Sequence, residues 1–542
     1  MPDVNVEPFE IEATTRHGDL VRADVYLPKG EPGRVPVVLG ASPYQKSLRH
    51  LPVHPQFPFN EYGPIQLYLD HGYGYVAMDV PGTGRSEGTW DPVSREEGEA
   101  IHDMIEHVAA QGWCDGEVGM IGMSYYCWSQ WNAARTRPPH LKTIVAYDGA
   151  TDMYRDWMYH GGIPIQGFLN AWLFGSTLLQ HQAEGIDFRV GAKDQVVYDM
   201  LTHRLDDEWQ RRRSPFWELS GVDIPVFSIG VWGKAALHLR GNFEGFRLVG
   251  GPKRLLITHP NSFAAALMYF YDEDFHRNEL LPWYDHHLKH VQNGVMERPA
   301  VRYYVNREGT YHSSAAWPPP DAARSTFYLS PEHSGVVSSL NDGSLTNPAP
   351  VEASSTSWSY PDPGWVAGVT VIAHGGRLDH VSRVNTFTSA PMEADREFTG
   401  QGVLELYASS DQRDFDVIAK LSLVPGDDGA AIKVSQGWLR ASHRAEDPDL
   451  TTDMRPFLSH QLEEPVEPGE VYRLRIELLP MSFLARAGDR IRLEISNQDS
   501  LIADAPMTHW YGQKVGTDTY HHGVPHPSAI HLHERPREIG TT

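Results

Sequence analysis

The sequence predicts an α/β protein followed by an all-β segment, and three observations support that fold class. Apolar runs of strand length alternate with amphipathic segments of helix length through the first half of the chain. An aromatic, helical stretch interrupts the alternation at residues 151–215, and strands that alternate apolar and charged side chains follow the prolines at residues 318–320. Strands that alternate with helices indicate a parallel sheet, whereas a period of two is typical of antiparallel strands.

Length and composition exclude several classes of protein. A chain of 542 residues is too long for one hydrophobic core, which predicts two or three domains. Its 70 acidic and 46 basic side chains give a net charge of −24, which argues against a nucleic-acid partner or an anionic membrane surface. The sequence contains neither a signal-peptide pattern nor an apolar run of about 18 residues, so we expect a cytoplasmic protein with no membrane partner.

Residues 21–27 alternate as a strand, and the other predicted strands of the first half are apolar runs of the kind that a sheet covered on both faces requires. They lie at residues 21–27, 35–40, 74–80, 118–121, 141–147, 224–230 and 254–259, with helical patterns at residues 61–71, 93–110, 125–134 and 274–291. We therefore expect a core at residues 1–150 and 216–320, an inserted helical cap at residues 151–215 and a β-sandwich at residues 321–542.

The stretch at residues 118–128 runs from a strand pattern through Gly122-Met123-Ser124 into a helical pattern. A serine on a sharp strand-to-helix turn presents its hydroxyl above the sheet, and the helix N-terminus behind it favours negative charge. The second glycine typical of such an elbow is absent, because Tyr126 occupies its position. We interpret Ser124 as a nucleophile; a buried serine at a strand–helix junction is the alternative.

Further motifs accompany this serine. They are Ser42-Pro43-Tyr44, the turn at residues 79–88, Trp113-Cys114-Asp115-Gly116, Tyr154-Arg155-Asp156, Asp414-Phe415-Asp416 and His526-Pro527-Ser528. With them, nearly the whole chain resembles the α/β-hydrolases of the cocaine esterase and X-prolyl dipeptidyl peptidase superfamily. The resemblance implies an α/β-hydrolase fold with a helical cap and a C-terminal jelly-roll. It also implies that Ser124 is the nucleophile, and that the Tyr125 backbone N–H and the Tyr44 hydroxyl form the oxyanion hole.

The general base is expected after the last strand of the core, where His259 stands. The family often places its histidine in Gly-Pro-Trp-x-His, whereas residues 258–262 of this chain read Thr-His-Pro-Asn-Ser. His238, within a helical pattern, is the rival candidate.

The acid departs from the family pattern. Where the family has Trp-x-Asp, residues 232–234 read Trp-Gly-Lys, so Lys234 replaces the carboxylate. A cation cannot orient an imidazole, which leaves a displaced acid or altered chemistry. We expect Asp148, at the end of the strand after the elbow helix, to orient His259; a loop aspartate that caps a turn is the alternative.

The remaining features define the predicted activity. Cap residues Trp157, Phe168 and Trp172 indicate an apolar acyl or leaving group. Clusters that pair His102 with His107, His286-His287 with His290, and His521 with His522 lack metal-site motifs, so we expect no metal and no organic cofactor. The sequence predicts a serine hydrolase that cleaves a small-molecule ester or amide through an acyl-enzyme. An acyltransferase on the same serine, a binding protein that has lost its acid, and a homo-oligomeric assembly remain open.

Overall fold

The computed structural model describes residues 4–30, 33–46, 61–173, 196–336, 341–362, 371–372, 378–379, 384–426, 430–499, 504, 507–509 and 514–537. Two compact units divide the chain. The first comprises residues 1–157, 170–203 and 208–303, and the second comprises residues 158–169, 204–207 and 304–542. The segment predicted as a cap thus contributes to both units, and its residues 174–195 lie outside the described residues.

A mostly parallel sheet forms the centre of the first unit. Its strands are β1 (Phe9–Thr14), β2 (Leu20–Tyr26), β3 (Val35–Ser42), β4 (Gly74–Asp79), β5 (Cys114–Met120), β6 (Leu141–Tyr147), β7 (Val226–Val231), β8 (Lys253–Thr258) and β9 (Val301–Val305). The spatial order is β1-β2-β4-β3-β5-β6-β7-β8-β9. The pairs β1/β2 and β2/β4 are antiparallel, and the other pairs are parallel. Every residue of β3 is buried, as a central strand with both faces covered requires.

Helices connect and cover these strands. They are α1 (Ile65–Asp70), α2 (Arg95–Ala109), α3 (Tyr125–Ala134), α4 (Gly167–Trp172), α5 (Val196–Thr202), α6 (Glu208–Arg212), α7 (Arg240–Leu248), α8 (Phe263–Phe270), α9 (Glu273–Phe275) and α10 (Leu281–Leu288). The helix α2 begins where sequence rules predict, because the Ser94 side chain accepts a hydrogen bond from the Glu97 N–H at 3.1 Å. No helix among the described residues is long and apolar enough to span a membrane.

Shorter helical segments occur in both units. Those that use 3₁₀ or π hydrogen bonding are Met153–Met158, Pro215–Gly221, Trp232–Lys234, Ala235–Leu239, His276–Leu280, Val295–Glu297 and Ala441–His443. The segment His276–Leu280 joins α9 to α10, so the predicted helix at residues 274–291 is three consecutive pieces.

The second unit is β-rich. Its longer strands are β10 (Thr310–Ser314), β11 (Ala323–Ser330), β12 (Asn341–Thr346), β13 (Ser354–Tyr360), β14 (Asn385–Ser389), β15 (Arg396–Ser410), β16 (Asp416–Val424), β17 (Ile432–Arg440), β18 (Tyr472–Ala485), β19 (Arg490–Ser496), β20 (Gly516–His522) and β21 (Ala529–Arg535). Two-residue strands pair Tyr159–His160 with Ile163–Pro164 and Val371–Ile372 with Leu378–Asp379. The main sheet runs β13-β20-β15-β21-β11-β12-β14-β19-β16-β17, with β18 on β15. Its buried core includes Phe387, Leu406, Ile476 and Leu493.

Candidate active site

The turn between β5 and α3 has the backbone of a nucleophile elbow. Ser124 adopts φ 60° and ψ −115°, a region that non-glycine residues rarely occupy. Its N–H donates to the carbonyl oxygens of Asp148 at 3.0 Å and Tyr147 at 3.3 Å. Gly122 has φ 130°, and a Cβ atom there would lie 2.3 Å from the Tyr126 Cβ. The turn therefore closes only with glycine at this position, as the sequence pattern indicates.

Tyr44 lies beyond the end of β3, and its ring is buried. Trp172 donates its Nε1–H to the Tyr44 hydroxyl oxygen at 2.7 Å, and a hydrogen bond also links this hydroxyl to Ser124. Burial, together with the charge of Glu61, holds the pKa of Tyr44 well above its usual value. Tyr44 therefore stays protonated and can donate to an oxygen atom that becomes negative at Ser124.

Aromatic side chains surround this hydroxyl group. The Trp172 ring stacks on Tyr125 with centroids 6.0 Å apart and meets Trp157 edge-on at 5.0 Å. Trp157 in turn contacts Trp128 at 5.1 Å. Two of the three predicted substrate-binding aromatics, Trp157 and Trp172, thus lie together in the first unit. Phe168 is half-buried and belongs to the second unit, so its role stays a prediction.

Asp148 lies directly behind the nucleophile, at the end of β6. Its carboxylate is fully buried, with the Lys234 Nζ at 2.9 Å and the His238 Nδ1 at 3.2 Å. Burial acts to raise the pKa of Asp148, but the neighbouring Lys234 and His238 outweigh it and hold the pKa below its usual value. Lys234, which replaces the family's aspartate, therefore forms a buried ion pair with Asp148.

The structure corrects the predicted partnership of Asp148 with His259. His259 is exposed, its ring packs edge-on against Tyr269 at 4.7 Å, and burial lowers its pKa. Within the described part of the chain, no hydrogen bond joins His259 to Ser124 or Asp148. The imidazole beside Asp148 belongs to His238, the rival candidate. Because burial lowers the pKa of His238, that ring is neutral near pH 7.

A buried glutamate that the sequence analysis missed also faces the nucleophile. The Glu61 backbone oxygen accepts the Met123 N–H at 2.9 Å, which fixes this residue to the elbow. Burial raises the pKa of its carboxyl group to about 8. The charge of Lys234 and hydrogen bonds from the Ser124 hydroxyl and the Tyr125 backbone N–H act in the opposite direction. Glu61 is therefore the acidic side chain in contact with the predicted nucleophile.

The sequence carried only a weak sign of this residue. Glu61 is the one acidic side chain in the stretch Phe57-Pro58-Phe59-Asn60-Glu61-Tyr62-Gly63-Pro64-Ile65, which is otherwise mostly apolar. A charge in such surroundings is rarely buried without a partner. No motif spacing connects residue 61 to residue 124, so only the fold brings the two together.

One group in the described residues has the spacing of metal ligands. The ligand atoms of Glu308, His312 and Glu397 lie within 4.8 Å of one another. The Glu308 carboxylate also lies 2.9 Å from the His312 Nε2 and forms an ion pair with Arg537 at 2.9 Å. Ion pairing accounts for this group, which belongs to the second unit.

Comparisons with known proteins agree with this fold. The family model for X-Pro dipeptidyl-peptidase of the S15 family matches residues 17–262. The model for the X-Pro dipeptidyl-peptidase C-terminal non-catalytic domain matches residues 293–533. The cocaine esterase of Rhodococcus sp. is 26% identical over 540 residues, which cover 89% of this chain and 89% of that protein.

Solved structures share the architecture. A CocE/NonD family hydrolase from Staphylococcus aureus has a TM-score of 0.81 at 24% identity, covering 97% of this chain and 93% of that one. An aminopeptidase from a marine sediment Thaumarchaeota archaeon has a TM-score of 0.75 at 16% identity, covering 99% and 98%. The predicted α/β-hydrolase fold with a β-rich C-terminal domain is thereby confirmed. The chain belongs to the cocaine esterase and X-prolyl dipeptidyl peptidase superfamily of α/β-hydrolases and is a serine hydrolase.

Proposed function

We propose that this hydrolase cleaves a carboxylic ester or amide through an acyl-enzyme intermediate on Ser124. The observation that carries the proposal is the backbone of Ser124, held at φ 60° and ψ −115° with the Tyr44 hydroxyl as its hydrogen-bond partner. Strain of this kind persists only where the surrounding structure holds it, and it is concentrated at functional sites.

The oxyanion hole consists of the Tyr44 hydroxyl and the Tyr125 backbone N–H. When Ser124 attacks a carbonyl carbon, the carbonyl oxygen becomes negative, and both groups donate hydrogen bonds to it. Trp172 supports this role, because its Nε1–H occupies a lone pair of the Tyr44 oxygen and leaves the Tyr44 proton for the substrate. Each such donor is typically worth about 10² to 10³ in kcat.

An apolar substrate group suits the aromatic wall formed by Trp157, Trp172 and Trp128. The indole Nε1–H groups of Trp128 and Trp157 are buried without a hydrogen-bond partner among the described residues. Two unpaired donors beside aromatic faces favour a small molecule that combines an apolar body with a hydrogen-bond acceptor.

The test is pre-steady-state kinetics with p-nitrophenyl butyrate as the probe substrate. We expect a burst of one equivalent of p-nitrophenol per enzyme in wild type and none in Ser124→Ala, whose turnover should fall by about 10⁴-fold or more. Ser129→Ala is the matched control, because Ser129 is also buried on α3 and its hydroxyl has no partner among the described residues.

Three results would redirect the proposal. Butyryl transfer to added methanol or hydroxylamine in preference to water indicates an acyltransferase on the same serine. Tight binding of the ester without release of p-nitrophenol indicates a binding protein. A burst that survives in Ser124→Ala shows that another nucleophile carries the reaction.

A further inference from the structure

We propose that Glu61, rather than a histidine, is the general base that takes the proton of Ser124; this inference rests on the proposed acyl-enzyme chemistry. Glu61 is only 3% exposed, the Ser124 hydroxyl and the Tyr125 backbone N–H lie within reach of its carboxyl group, and its Oε2 is buried without a hydrogen-bond partner among the described residues. A general base must lie within hydrogen-bonding reach of the proton that it removes. Glu61 meets this condition in the free protein.

The neighbouring histidines do not meet it. His259 is exposed, and His238 directs its Nδ1 to Asp148 at 3.2 Å. Ser124 has no hydrogen bond to either ring within the described residues. The family position of the acid that would orient a histidine holds Lys234 instead, and Lys234 is paired with Asp148.

The charged and titratable groups around Glu61, together with its burial, raise its pKa to about 8, so its carboxyl group is mostly protonated at pH 7 and ionised at higher pH. Those that act on it or are acted on by it are Tyr44, Tyr126, Cys127, Asp148 and Lys234. Burial raises the pKa of the two tyrosines and of the cysteine, so these three stay neutral. Asp148 carries a negative charge and Lys234 can balance it. Glu61 is the group in this cluster whose pKa, about 8, lies in the working range of an enzyme.

Proton transfer accompanies the attack of Ser124 on the substrate. The Ser124 Oγ forms a bond to the carbonyl carbon, its proton moves to the Glu61 carboxylate, and the electron pair of the C=O bond moves to the carbonyl oxygen. The negative charge thereby passes from Glu61 to the carbonyl oxygen of the substrate. The Tyr125 N–H can then donate its hydrogen bond to this oxygen instead of to Glu61. On collapse, the bond to the leaving group breaks and Glu61 returns the proton to that group. Water then attacks the acyl-enzyme by the same route, giving the carboxylic acid and free Ser124.

A pH profile distinguishes Glu61 from a histidine. The base acts only when deprotonated, so labelling of Ser124 by a fluorophosphonate should speed up as pH rises through the pKa of the base. If Glu61 is the base, the labelling rate should rise near pH 8. If His238 or His259 is the base, the rate should rise below about pH 6.5, because the pKa values of both histidines are lowered.

The experiment measures the second-order labelling rate constant from pH 5 to 10 in the full-length protein. Glu61→Gln should label about 10²- to 10⁴-fold more slowly above pH 8, and its labelling rate should no longer rise near pH 8. Glu61→Asp keeps a carboxylate and should recover part of the rate. Glu97→Gln is the matched control, because burial also raises the pKa of Glu97 to about 8, yet its carboxylate accepts the Tyr125 side-chain hydroxyl at 2.8 Å.

The outcomes separate this inference from the proposed function. If Ser124→Ala loses all labelling while Glu61→Gln labels at the normal rate, Ser124 is still the nucleophile but Glu61 is not the base. If the labelling rate rises below about pH 6.5 and this rise disappears in His238→Gln or His259→Ala, the base is that histidine. A change in ester KM alone on Glu61→Gln makes Glu61 a substrate-binding residue. If circular dichroism shows that Glu61→Gln does not fold, the labelling rate of Glu61→Asp and its dependence on pH decide whether Glu61 is the base.

Discussion

The nucleophile side and the proton-transfer side of this site are held by different kinds of structure. Ser124, Tyr44 and the Tyr125 N–H depend on the backbone: a positive φ, a strand end and a helix start fix their positions. On the other side, Asp148 and Lys234 depend on a buried ion pair between side chains from separate loops. The first arrangement tolerates few changes in shape, whereas the second can be rebuilt by exchanging side chains.

This difference explains how a family site can keep its elbow while its acid is replaced. A cation in the family's acid position would be costly if it were unpaired and buried. Here Asp148 supplies the opposite charge at 2.9 Å, so the site keeps its electrostatic balance although Lys234 stands in the family's acid position. The predicted Asp148–His259 pair is not found because the two oxygens of the Asp148 carboxylate face Lys234 and His238 instead.

The largest expected effect comes from breaking the ion pair. In Asp148→Asn the side chain keeps its size, and asparagine also tolerates the backbone φ of 54° at this position. The substitution leaves the Lys234 ammonium group without its carboxylate partner. We expect a loss of about 3–5 kcal/mol in the free energy of unfolding, measured by urea denaturation at pH 7. Because the pKa of Asp148 is lowered, this contribution exists above its unfolded pKa of about 3.9 and is lost as pH falls.

The double variant Asp148→Asn with Lys234→Met is the control for charge. It removes both charges, so most of the lost stability should return. If Asp148→Asn is as stable as wild type, the Asp148–Lys234 ion pair does not stabilise the fold, and the contrast between the two sides of the site is wrong.

Next in size is the loss of an oxyanion donor. Tyr44→Phe should lower kcat by about 10²- to 10³-fold, because the charge on the tetrahedral intermediate loses one hydrogen bond. Its KM and unfolding midpoint should change little, since the ring and its contact with Tyr125 at 6.0 Å remain. The measurement is steady-state hydrolysis of p-nitrophenyl butyrate. A change confined to KM would instead make Tyr44 a substrate-binding residue.

The smallest effect is expected at His259. Its exposed ring touches Tyr269 but not the nucleophile, so His259→Ala should change stability by less than about 0.5 kcal/mol and leave kcat nearly unchanged. Ester hydrolysis and thermal unfolding check both values. A loss of activity as large as that of Ser124→Ala would restore the histidine as base and remove the contrast between the two sides.

Sequence patterns predicted the fold and the backbone-determined half of the site. The strand at residues 141–147 matches β6 residue for residue, and the predicted helices at 93–110 and 125–134 match α2 and α3 within two residues. The predicted roles of Ser124 and Tyr44 depend on each residue following a buried strand, and the structure places both after strand ends. These features depend on local periodicity and on turn chemistry, which the sequence displays directly.

The proton-transfer half depends on contacts between distant segments. Glu61 meets Ser124 across 63 positions of sequence, and Lys234 meets Asp148 across 86. Alignment with a family motif identified Lys234 as a departure but could not show which carboxylate it would pair with. His238 lies in a π-helical segment, Ala235–Leu239, which turns its ring toward Asp148 and which no periodicity predicts.

The most direct test of the central claim is peptide mapping of the full-length protein after reaction with a fluorophosphonate. We expect one modified peptide, carrying the phosphonyl group on Ser124, in wild type and in His259→Ala alike. A label on another residue, or no label on folded protein at pH 9, where the Glu61 carboxyl group should be largely ionised, would contradict Ser124 as the activated nucleophile.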